Sequence, residues 1–180
     1  PPHNDVDVYA HDLGFVAISE GGVLRGFNVL VGGGMGASHG DKATFPRLAD
    51  VIGFITPDKL LVVAENVVKI QRDFGDRTNR KHARLTSTIA ARGIGWFKSE
   101  LETRCGFGLA LARAVSFDHN GDRFGWVRGH DERWSVTLHV ESGRVAGRAL
   151  DGLRAIARVH RGDLRLTANQ NLIIAGIADA

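Results

Sequence analysis

A run of cations in residues 72–84 has the composition of an anion-binding site. It comprises Arg72, Arg77, Arg80, Lys81 and Arg84. Two aspartates oppose these five cations, which leaves a local charge of +3. A guanidinium offers a planar fork that matches carboxylate or phosphate, whereas an ammonium acts as a point charge. The run fits three interpretations: a solvated helix face, a nucleic-acid patch, or a cradle for a ligand with several carboxylates.

A second polar group lies between two apolar segments in "DLRLTANQNLII". Alternation places Leu164 and Leu166 on one side of a strand, with Arg165 and Thr167 on the other. The amides that follow, at Asn169, Gln170 and Asn171, can both donate and accept hydrogen bonds. The group is either a turn that satisfies its own polar atoms or the lining of a polar ligand.

Other chemistry finds little support in the sequence. The loop "VGGGMGASHG" lacks the Lys-Ser/Thr ending of a phosphate loop and is not followed by a helix, so a flexible or close-packed loop is favoured. The eight histidines show no metal-ligand spacing, and there is no nucleophile elbow. Cys105 is the one cysteine, which excludes a disulfide framework and a four-thiolate cluster built from this chain alone. We assign no catalytic or metal-binding residue.

The totals describe an ordinary folded chain. Its 180 residues are 43% hydrophobic and 24% charged, with a net charge of +3. No apolar run approaches the ~20 residues that span a bilayer, and no signal peptide is evident. The single cysteine fits a reducing compartment, so we expect a cytoplasmic protein without a membrane partner. The opening Pro1-Pro2, without an initiator Met, suggests a cut from something longer.

Hydrophobic periodicity predicts the elements that position the cations. Residues 6–31 are predicted as strands, with a hairpin turn at Gly21-Gly22. A helix is predicted from Thr56 to Gly75, with Leu60, Val63, Ala64, Val67 and Val68 as its buried stripe. A second is predicted over Arg80–Arg92, which would put Lys81 and Arg84 on one face beside Leu85 and Ile89. A third covers 96–104, and 107–115 is ambiguous between helix and strand.

The remaining sequence predicts a smaller α+β section after a boundary near residues 118–123. "FGWVR" and "RWSVTLHV" are predicted strands, and Trp134, Val136, Leu138 and Val140 alternate onto one face. A helix over Ala149–Arg161 follows, with Leu150, Leu153, Ile156 and Ala157 inward. "DLRLT" and "NLIIAGI" complete the section as strands. The fold class is therefore α+β, with mixed or antiparallel sheets and helices packed on one face.

Several stretches resemble the siroheme and 4Fe-4S family of nitrite and sulfite reductases, in particular the hemoprotein subunit of assimilatory sulfite reductases. They are "NDVDVYAHDLGFVAI", "GFNVLVGGGMG", "QRDFGDRTNRKHARL", "DRFGWV" and "DLRLTANQNLIIAGI". The resemblance implies that residues 1–120 belong to a siroheme-binding domain. It also implies that residues 121–180 begin a second ferredoxin-like half.

The resemblance implies six-electron reduction of sulfite to sulfide at a siroheme that a cysteine thiolate bridges to a 4Fe-4S cluster. By family analogy, Lys81 and Arg84 hold siroheme carboxylates, with Arg77 and Arg80 as secondary candidates. The residues of the "RLTANQN" stretch would line the cofactor; they are Arg165, Thr167, Asn169, Gln170 and Asn171. The implied partner is an NADPH-dependent flavoprotein subunit, and the implied process is sulfur assimilation toward cysteine.

The sequence also departs from the family. The cluster cysteines of the family lie downstream of "NQNLIIAGI", and Cys105 matches none of them. We therefore expect that this chain alone neither binds the cluster nor reduces sulfite. Three alternatives remain: a fragment of a ferredoxin-dependent nitrite reductase, a non-enzymatic module that binds anions or nucleic acid, and a structural domain without chemistry. Nucleic acid is not expected, because the aromatic residues lie in apolar patterns rather than among the cations.

Overall fold

The computed structural model describes residues 1–129 and 131–178, which contain nine strands and four α-helices. The strands are β1 (His3–Asn4), β2 (Leu13–Glu20), β3 (Val23–Val31), β4 (Asp50–Ile55), β5 (His119–Asn120), β6 (Gly125–Arg128), β7 (Trp134–Leu138), β8 (Asp163–Leu166) and β9 (Leu172–Ile177). The helices are α1 (Leu60–Phe74), α2 (Leu85–Arg92), α3 (Ile94–Cys105) and α4 (Gly147–Val159).

These elements form two units. The first contains Pro1–Pro2 and Asp7–Phe117, and the second contains His3–Val6 and the chain from Asp118 onward. Residues His3–Val6 belong to the second unit because β1 pairs in parallel with β5. The sequence predicted a single boundary near residues 118–123 and therefore did not assign His3–Val6 to the second unit.

The sheet of the first unit is an antiparallel meander in the order β2-β3-β4. β2 and β3 are joined at Gly21 and Gly22, whose φ angles of 59° and 77° lie in the left-handed region that glycine adopts without strain. Leu13 at the start of β2 pairs with Val31 at the end of β3. The hairpin predicted from the sequence is confirmed.

Strand β4 is absent from the sequence-based assignment, which leaves residues 51–55 unassigned. Gly53 interrupts the apolar pattern there, and the fold requires glycine at this position. A Cβ on Gly53 would lie 2.6 Å from Cβ of Leu109, which crosses it. Phe54 and Ala110 then exchange two backbone hydrogen bonds of 2.8 and 3.0 Å. The ambiguous segment 107–115 is thus neither helix nor strand, and this single bridge fixes it to β4.

Helix α1 begins later than the sequence suggests, after a 3-10 turn at Pro57–Lys59. Val63, Val67 and Ile70 form its buried stripe. Val68 was predicted to be buried but is 64% exposed. The correction follows from the helical period, because Val68 lies one position beyond the stripe that Val63, Val67 and Ile70 define.

Helix α2 is the main correction to the predicted elements. A helix over Arg80–Arg92 was expected, but α2 begins at Leu85 and Arg84 is extended, with φ −84° and ψ 157°. Residues Arg80–His82 form a separate 3-10 turn. Lys81 and Arg84 therefore do not share a helix face, and that prediction is wrong.

The core of the first unit lies between the sheet and the three helices. Val29 and Val31 of β3 share this core with Phe97 and Leu101 of α3. Leu30, between the two valines, points to the other face of the sheet and packs with a smaller cluster around Val8. Alternation along β3 thus supplies both faces of the sheet.

The second unit contains a four-stranded antiparallel sheet in the order β6-β7-β9-β8. Val136 of β7 is buried and pairs with Ile174 of β9. Trp134 and Leu138 are half-buried, so the predicted alternation holds most strongly at the centre of the strand. Together the two units confirm the predicted α+β class with antiparallel sheets.

Helix α4 differs from its prediction in bounds and in burial. It spans Gly147–Val159 rather than Ala149–Arg161, and none of its residues is buried. The four residues expected to point inward are Leu150, Leu153, Ile156 and Ala157, and of these only Leu153 is half-buried. Amphipathic spacing identified the helix correctly, but the described chain does not cover its apolar side.

Candidate anion-binding site

The basic stretch of the first unit is a turn that two side chains hold. Oδ1 of Asp76 accepts hydrogen bonds from the hydroxyl of Thr78 at 2.8 Å and from the N–H groups of Thr78 and Asn79 at 2.8 and 3.1 Å. These bonds, that of the Thr78 hydroxyl first, lower the pKa of Asp76. Oδ1 of Asn79 in turn accepts from the N–H of Lys81 at 3.0 Å. The bond from Lys81 makes Asn79 the N-cap of the 3-10 turn Arg80–His82, and this turn does not continue into α2 because Arg84 is extended.

Lys81 joins this turn to the loop that follows the glycine-rich segment. Its Nζ donates to Oδ2 of Asp41 at 2.9 Å, and this hydrogen bond is the main cause of the lowered pKa of Asp41. Asp41 lies in a loop whose other hydrogen bonds are internal. The N–H of Asp41 donates to the carbonyl of Ser38 at 3.1 Å, and the N–H of Ser38 donates to Oγ1 of Thr44 at 2.7 Å.

Arg84 is oriented by Asp12, which ends the segment before β2. Nε of Arg84 donates to Oδ1 of Asp12 at 3.3 Å, and Nη2 donates to Oδ2 at 2.7 Å. Nη2 also lies 3.4 Å from the carbonyl oxygen of Gly33. Within residues 1–129 and 131–178, Nη1 of Arg84 has no hydrogen-bond partner. This nitrogen lies beside Gly34 and Gly36.

The glycine-rich loop is close-packed at Gly33 and Gly34, so the close-packed alternative applies to these two residues. A Cβ on Gly33 would lie 2.3 Å from the carbonyl oxygen of Tyr9. A Cβ on Gly34 would lie 2.8 Å from Oγ1 of Thr86 and 3.0 Å from Nη1 of Arg84. Thr86 also donates to the carbonyl of Gly33 at 2.9 Å. The missing side chains let the backbone approach Arg84 and Thr86 closely.

These parts enclose a cavity of about 270 Å³. Its lining includes Gly34, Gly36 and Thr44 from the glycine-rich segment and the loop after it, together with Lys81, Arg84 and Thr86. Lys81 and Arg84 therefore line the same cavity, although not as neighbours on a helix. Two cations with hydroxyl and backbone groups form a donor set for carboxylate or phosphate oxygens.

The secondary candidates Arg77 and Arg80 do not line this cavity. Nη2 of Arg77 donates to the carbonyl of Arg72 at 3.3 Å, and Arg77 lines a neighbouring cavity of about 510 Å³ with Val67 and Leu85. Arg80 is exposed in the 3-10 turn. Arg84 lines both cavities and marks the border between them.

In the second unit the polar stretch converges on Asp122. Its carboxylate accepts from Oγ1 of Thr167 at 2.6 Å, from Nδ2 of Asn169 at 3.1 Å and from Nδ2 of Asn171 at 2.7 Å. Burial raises the pKa of Asp122, but these three bonds outweigh it and leave the pKa below its ordinary value. Oδ1 of Asn171 accepts from the N–H of Val140 at 2.8 Å, so both ends of this amide are satisfied.

Sequence reasoning missed Asp122. The available signal was its place in the turn "HNGDR", because an aspartate beside a cluster of amide and hydroxyl donors invites a check for pairing. The remaining candidates of this stretch are placed differently. Arg165 forms an ion pair of 2.7 Å with Asp163, and Gln170 occupies a left-handed turn position with φ 64°. Arg165 and Thr167 also line a cavity of about 390 Å³ in this unit.

Cys105 does not have the surroundings of a reactive thiol. Nδ2 of Asn66 lies 3.7 Å from its Sγ, and burial raises the pKa of the thiol. A reactive cysteine needs the opposite shift. Within the described residues no group of three or more His, Cys, Asp or Glu side chains could hold a metal ion. One cysteine does not fit a 4Fe-4S cluster, which takes four thiolates. No helix in the described part of the chain is long and apolar enough to cross a bilayer.

Comparison with known proteins identifies both sections of the chain. Residues 1–108 match the nitrite and sulphite reductase 4Fe-4S domain, and residues 127–180 match the nitrite/sulfite reductase ferredoxin-like half domain. The fold is similar to the structure of the Mycobacterium tuberculosis NirA protein, with a TM-score of 0.83 and 28% identity. That similarity covers 97% of this chain and 32% of the other.

Curated relatives agree with this result. The chain is 67% identical to the sulfite reductase (NADPH) hemoprotein beta-component of Myxococcus xanthus and 56% identical to that of Paenibacillus sp.. Each similarity covers 98% of this chain, and the chain spans about a third (32%) of the length of either relative. The family resemblance seen in the sequence motifs is thereby confirmed. This chain belongs to the nitrite and sulphite reductase 4Fe-4S domain family.

Proposed function

We propose that this chain is a segment of a siroheme-dependent sulfite reductase and that the cavity between Lys81 and Arg84 receives siroheme carboxylates. The observation that carries the proposal is the position of Arg84, whose Nη1 has no partner in the described chain and lies at a cavity that Lys81 also lines. Relatives named as sulfite reductase hemoprotein components support the reaction class. The complete protein would reduce sulfite to sulfide by six electrons.

The donor set fits the carboxylates of the proposed cofactor. Siroheme, when bound, supplies the iron macrocycle at which substrate is reduced. Arg84 would offer a directed N–H from its guanidinium, and Lys81 would exchange its bond to Asp41 for one to the ligand. Thr86 keeps the wall of the cavity fixed through its bond to Gly33. Ligands for the 4Fe-4S cluster would come from elsewhere in the complete protein.

The other candidate residues have subordinate roles in this proposal. Arg77 would act from the neighbouring cavity, and Arg80 would add positive charge at the surface. Arg165 and Thr167 remain proposed lining residues of the cavity in the second unit. Asn169 and Asn171 would act through their bonds to Asp122, and Gln170 would shape the turn. We further propose a cytoplasmic enzyme that receives electrons from an NADPH-dependent flavoprotein subunit and serves cysteine biosynthesis.

The proposal is tested by Lys81→Ala and Arg84→Ala in the complete polypeptide. Siroheme content per protein, measured by visible absorbance after gel filtration, should fall in both variants. Half-exposed charged hydrogen bonds are weaker than buried ones, so about 3- to 10-fold weaker binding is expected for each variant. Unchanged siroheme content in both variants would refute the assignment.

Matched controls separate the cavity from general charge loss. Lys69→Ala removes a lysine whose Nζ lies 2.8 Å from Oε1 of Glu65 on α1. Arg128→Ala removes an arginine paired with Glu132 at 2.7 Å, whose side chain is 49% exposed against 48% for Arg84. Siroheme content should not change in these controls.

A second candidate function is nitrite reduction, because the matching family description names both nitrite and sulphite reductases. The comparison of kcat/KM for sulfite and nitrite in the complete enzyme distinguishes the two. A larger value for nitrite would favour the second candidate. Tight, salt-sensitive binding of RNA or DNA in a gel shift would instead favour the non-enzymatic alternative.

A further inference from the structure

Arg84 has a fixed orientation because a single carboxylate grips one edge of its guanidinium. Asp12 receives both Nε and Nη2, at 3.3 and 2.7 Å. The guanidinium is planar, so two bonds to one carboxylate fix its rotation. The third nitrogen, Nη1, is left on the opposite edge, at the wall formed by Gly34.

Asp12 is itself held by the backbone. Its carbonyl oxygen accepts from the N–H of Gly32 at 2.8 Å, where β3 ends, and the next residue begins β2. Arg84 in turn directly precedes α2. Both partners therefore lie at the ends of regular elements, which are more precise supports than loops.

Asp41, which pairs with the other cation, has a different setting. Its loop is bonded mainly to itself, and Lys81 is a point charge without a preferred orientation. Loss of Asp41 would change the charge near the cavity, whereas loss of Asp12 would change the direction in which an N–H points. Of the two ion pairs, the Asp12–Arg84 pair is therefore the one that sets the direction of an N–H group at the cavity.

We propose that Asp12 is a positioning residue that holds Arg84 so that Nη1 donates a hydrogen bond to a carboxylate of the bound macrocycle. This inference rests on the proposed function of the cavity. It assigns Asp12 an indirect role, because its own negative charge would repel a carboxylate at close range. Asp12 would favour binding by fixing the orientation of Arg84. This role should be detectable as an energetic coupling between Asp12 and Arg84 in siroheme binding.

The test is a double-mutant cycle in the complete polypeptide with Asp12→Asn, Arg84→Ala and the combined variant. The measured quantity is the dissociation constant of siroheme, from titration of the cofactor-free protein followed by absorbance. Asp12→Asn alone should weaken binding about three- to tenfold. In the Arg84→Ala background the same change should have no further effect. An equal loss in both backgrounds overturns the proposal.

Arg84→Lys provides a second variant that keeps the positive charge on a long side chain while removing the planar fork of the guanidinium. It should bind siroheme about as weakly as Arg84→Ala if direction matters. Binding at the level of the unmodified protein would mean that charge alone suffices, and the positioning role would then be wrong. This variant keeps the test decisive even if Asp12→Asn fails to fold.

Asp50→Asn is the matched control. Asp50 pairs with Nη2 of Arg47, and Nη1 of Arg47 donates to the carbonyl of Gly32 at 2.9 Å. This is a second aspartate–arginine pair of the first unit, and neither of its residues lines the cavity. A loss of siroheme in Asp50→Asn equal to that in Asp12→Asn would indicate a general structural effect and overturn the proposal. Reduced binding in Arg84→Ala with none in Asp12→Asn refutes positioning but leaves the proposed function intact. No change in siroheme content in both Lys81→Ala and Arg84→Ala refutes the proposed function itself.

Discussion

Nζ of Lys81 lies 2.9 Å from Oδ2 of Asp41, and forty residues of chain separate the two. The pair crosses from the basic turn to the loop after the glycine-rich segment, and Lys81 lines the cavity between them. Lys81, which we assign to an anionic ligand, already donates a hydrogen bond to the carboxylate of Asp41. Binding must therefore exchange one carboxylate for another.

Replacement of Asp41 by asparagine should strengthen siroheme binding. The change removes the competing carboxylate and leaves Lys81 available to the ligand. Because the pair is exposed, the gain should be about two- to fivefold. Titration of the cofactor-free complete protein measures it. Glu65→Gln, which releases Lys69 on α1, is the control and should not alter the dissociation constant. Weaker binding in Asp41→Asn would show that Asp41 supports the site instead.

Removal of Asp122 should loosen the turn at residues 167–171. In Asp122→Ala the donors of Thr167, Asn169 and Asn171 lose their common acceptor. We expect a local loss of about 1–2 kcal/mol, since water can reach part of the cluster. Hydrogen exchange measured on peptides that cover β8, the turn and β9 should become faster. Asp151→Ala on the exposed helix α4 should leave these peptides unchanged, and an equal effect there would contradict the prediction.

Acid should weaken the contact between α1 and α3 through Asp73. Hydrogen bonds from Arg72 and then from Arg104 lower the pKa of Asp73 to about 2. A carboxyl with a lowered folded-state pKa stabilises the fold fully above its ordinary pKa of 3.8, and this contribution is lost as the pH falls toward 2. The protection of the α1 and α3 amides, that is, their hydrogen exchange corrected for the intrinsic rate at each pH, should fall over that interval.

Asp73→Asn serves as the comparison for the acid experiment. The variant should exchange faster than the unmodified protein at neutral pH, and the difference should shrink between pH 4 and pH 2. Asp151→Asn is the matched control for loss of one carboxylate. A difference between Asp73→Asn and the unmodified protein that stays constant down to pH 2 would contradict the assigned role of Asp73.

The sequence predicted those strands and helices in which one side is buried against the rest of the chain, because burial gives their apolar residues a regular spacing. β2, β3, β7 and α1 all have regular spacing of apolar residues and clear turn or capping residues. β4 was not predicted because Gly53 interrupts its run of apolar residues. Glycine is required there by the close approach of Leu109, a residue 56 positions away. Contacts of this kind have no local signal.

The site shows the same limit. Composition identified the cations, but the α-helix predicted across them does not form, because Asn79 caps only a 3-10 turn over Arg80–His82 and Arg84 is extended. The pairings of Asp12 and Asp41 could not be predicted, since the sequence gives no reason to pair them with residues 72 and 40 positions later. Helix α4 was found from its amphipathic spacing, although its apolar side is not covered within the described residues.

The pairing of β1 with β5 has a consequence for the order of folding. His3 lies opposite His119, so the second unit is discontinuous in sequence and the whole of Asp7–Phe117 is an insertion within it. During synthesis, the first strand of this unit must wait for more than a hundred residues before its partner exists. Closing so long a loop costs less entropy once the insertion has collapsed. The first unit should therefore fold before β1 and β5 pair.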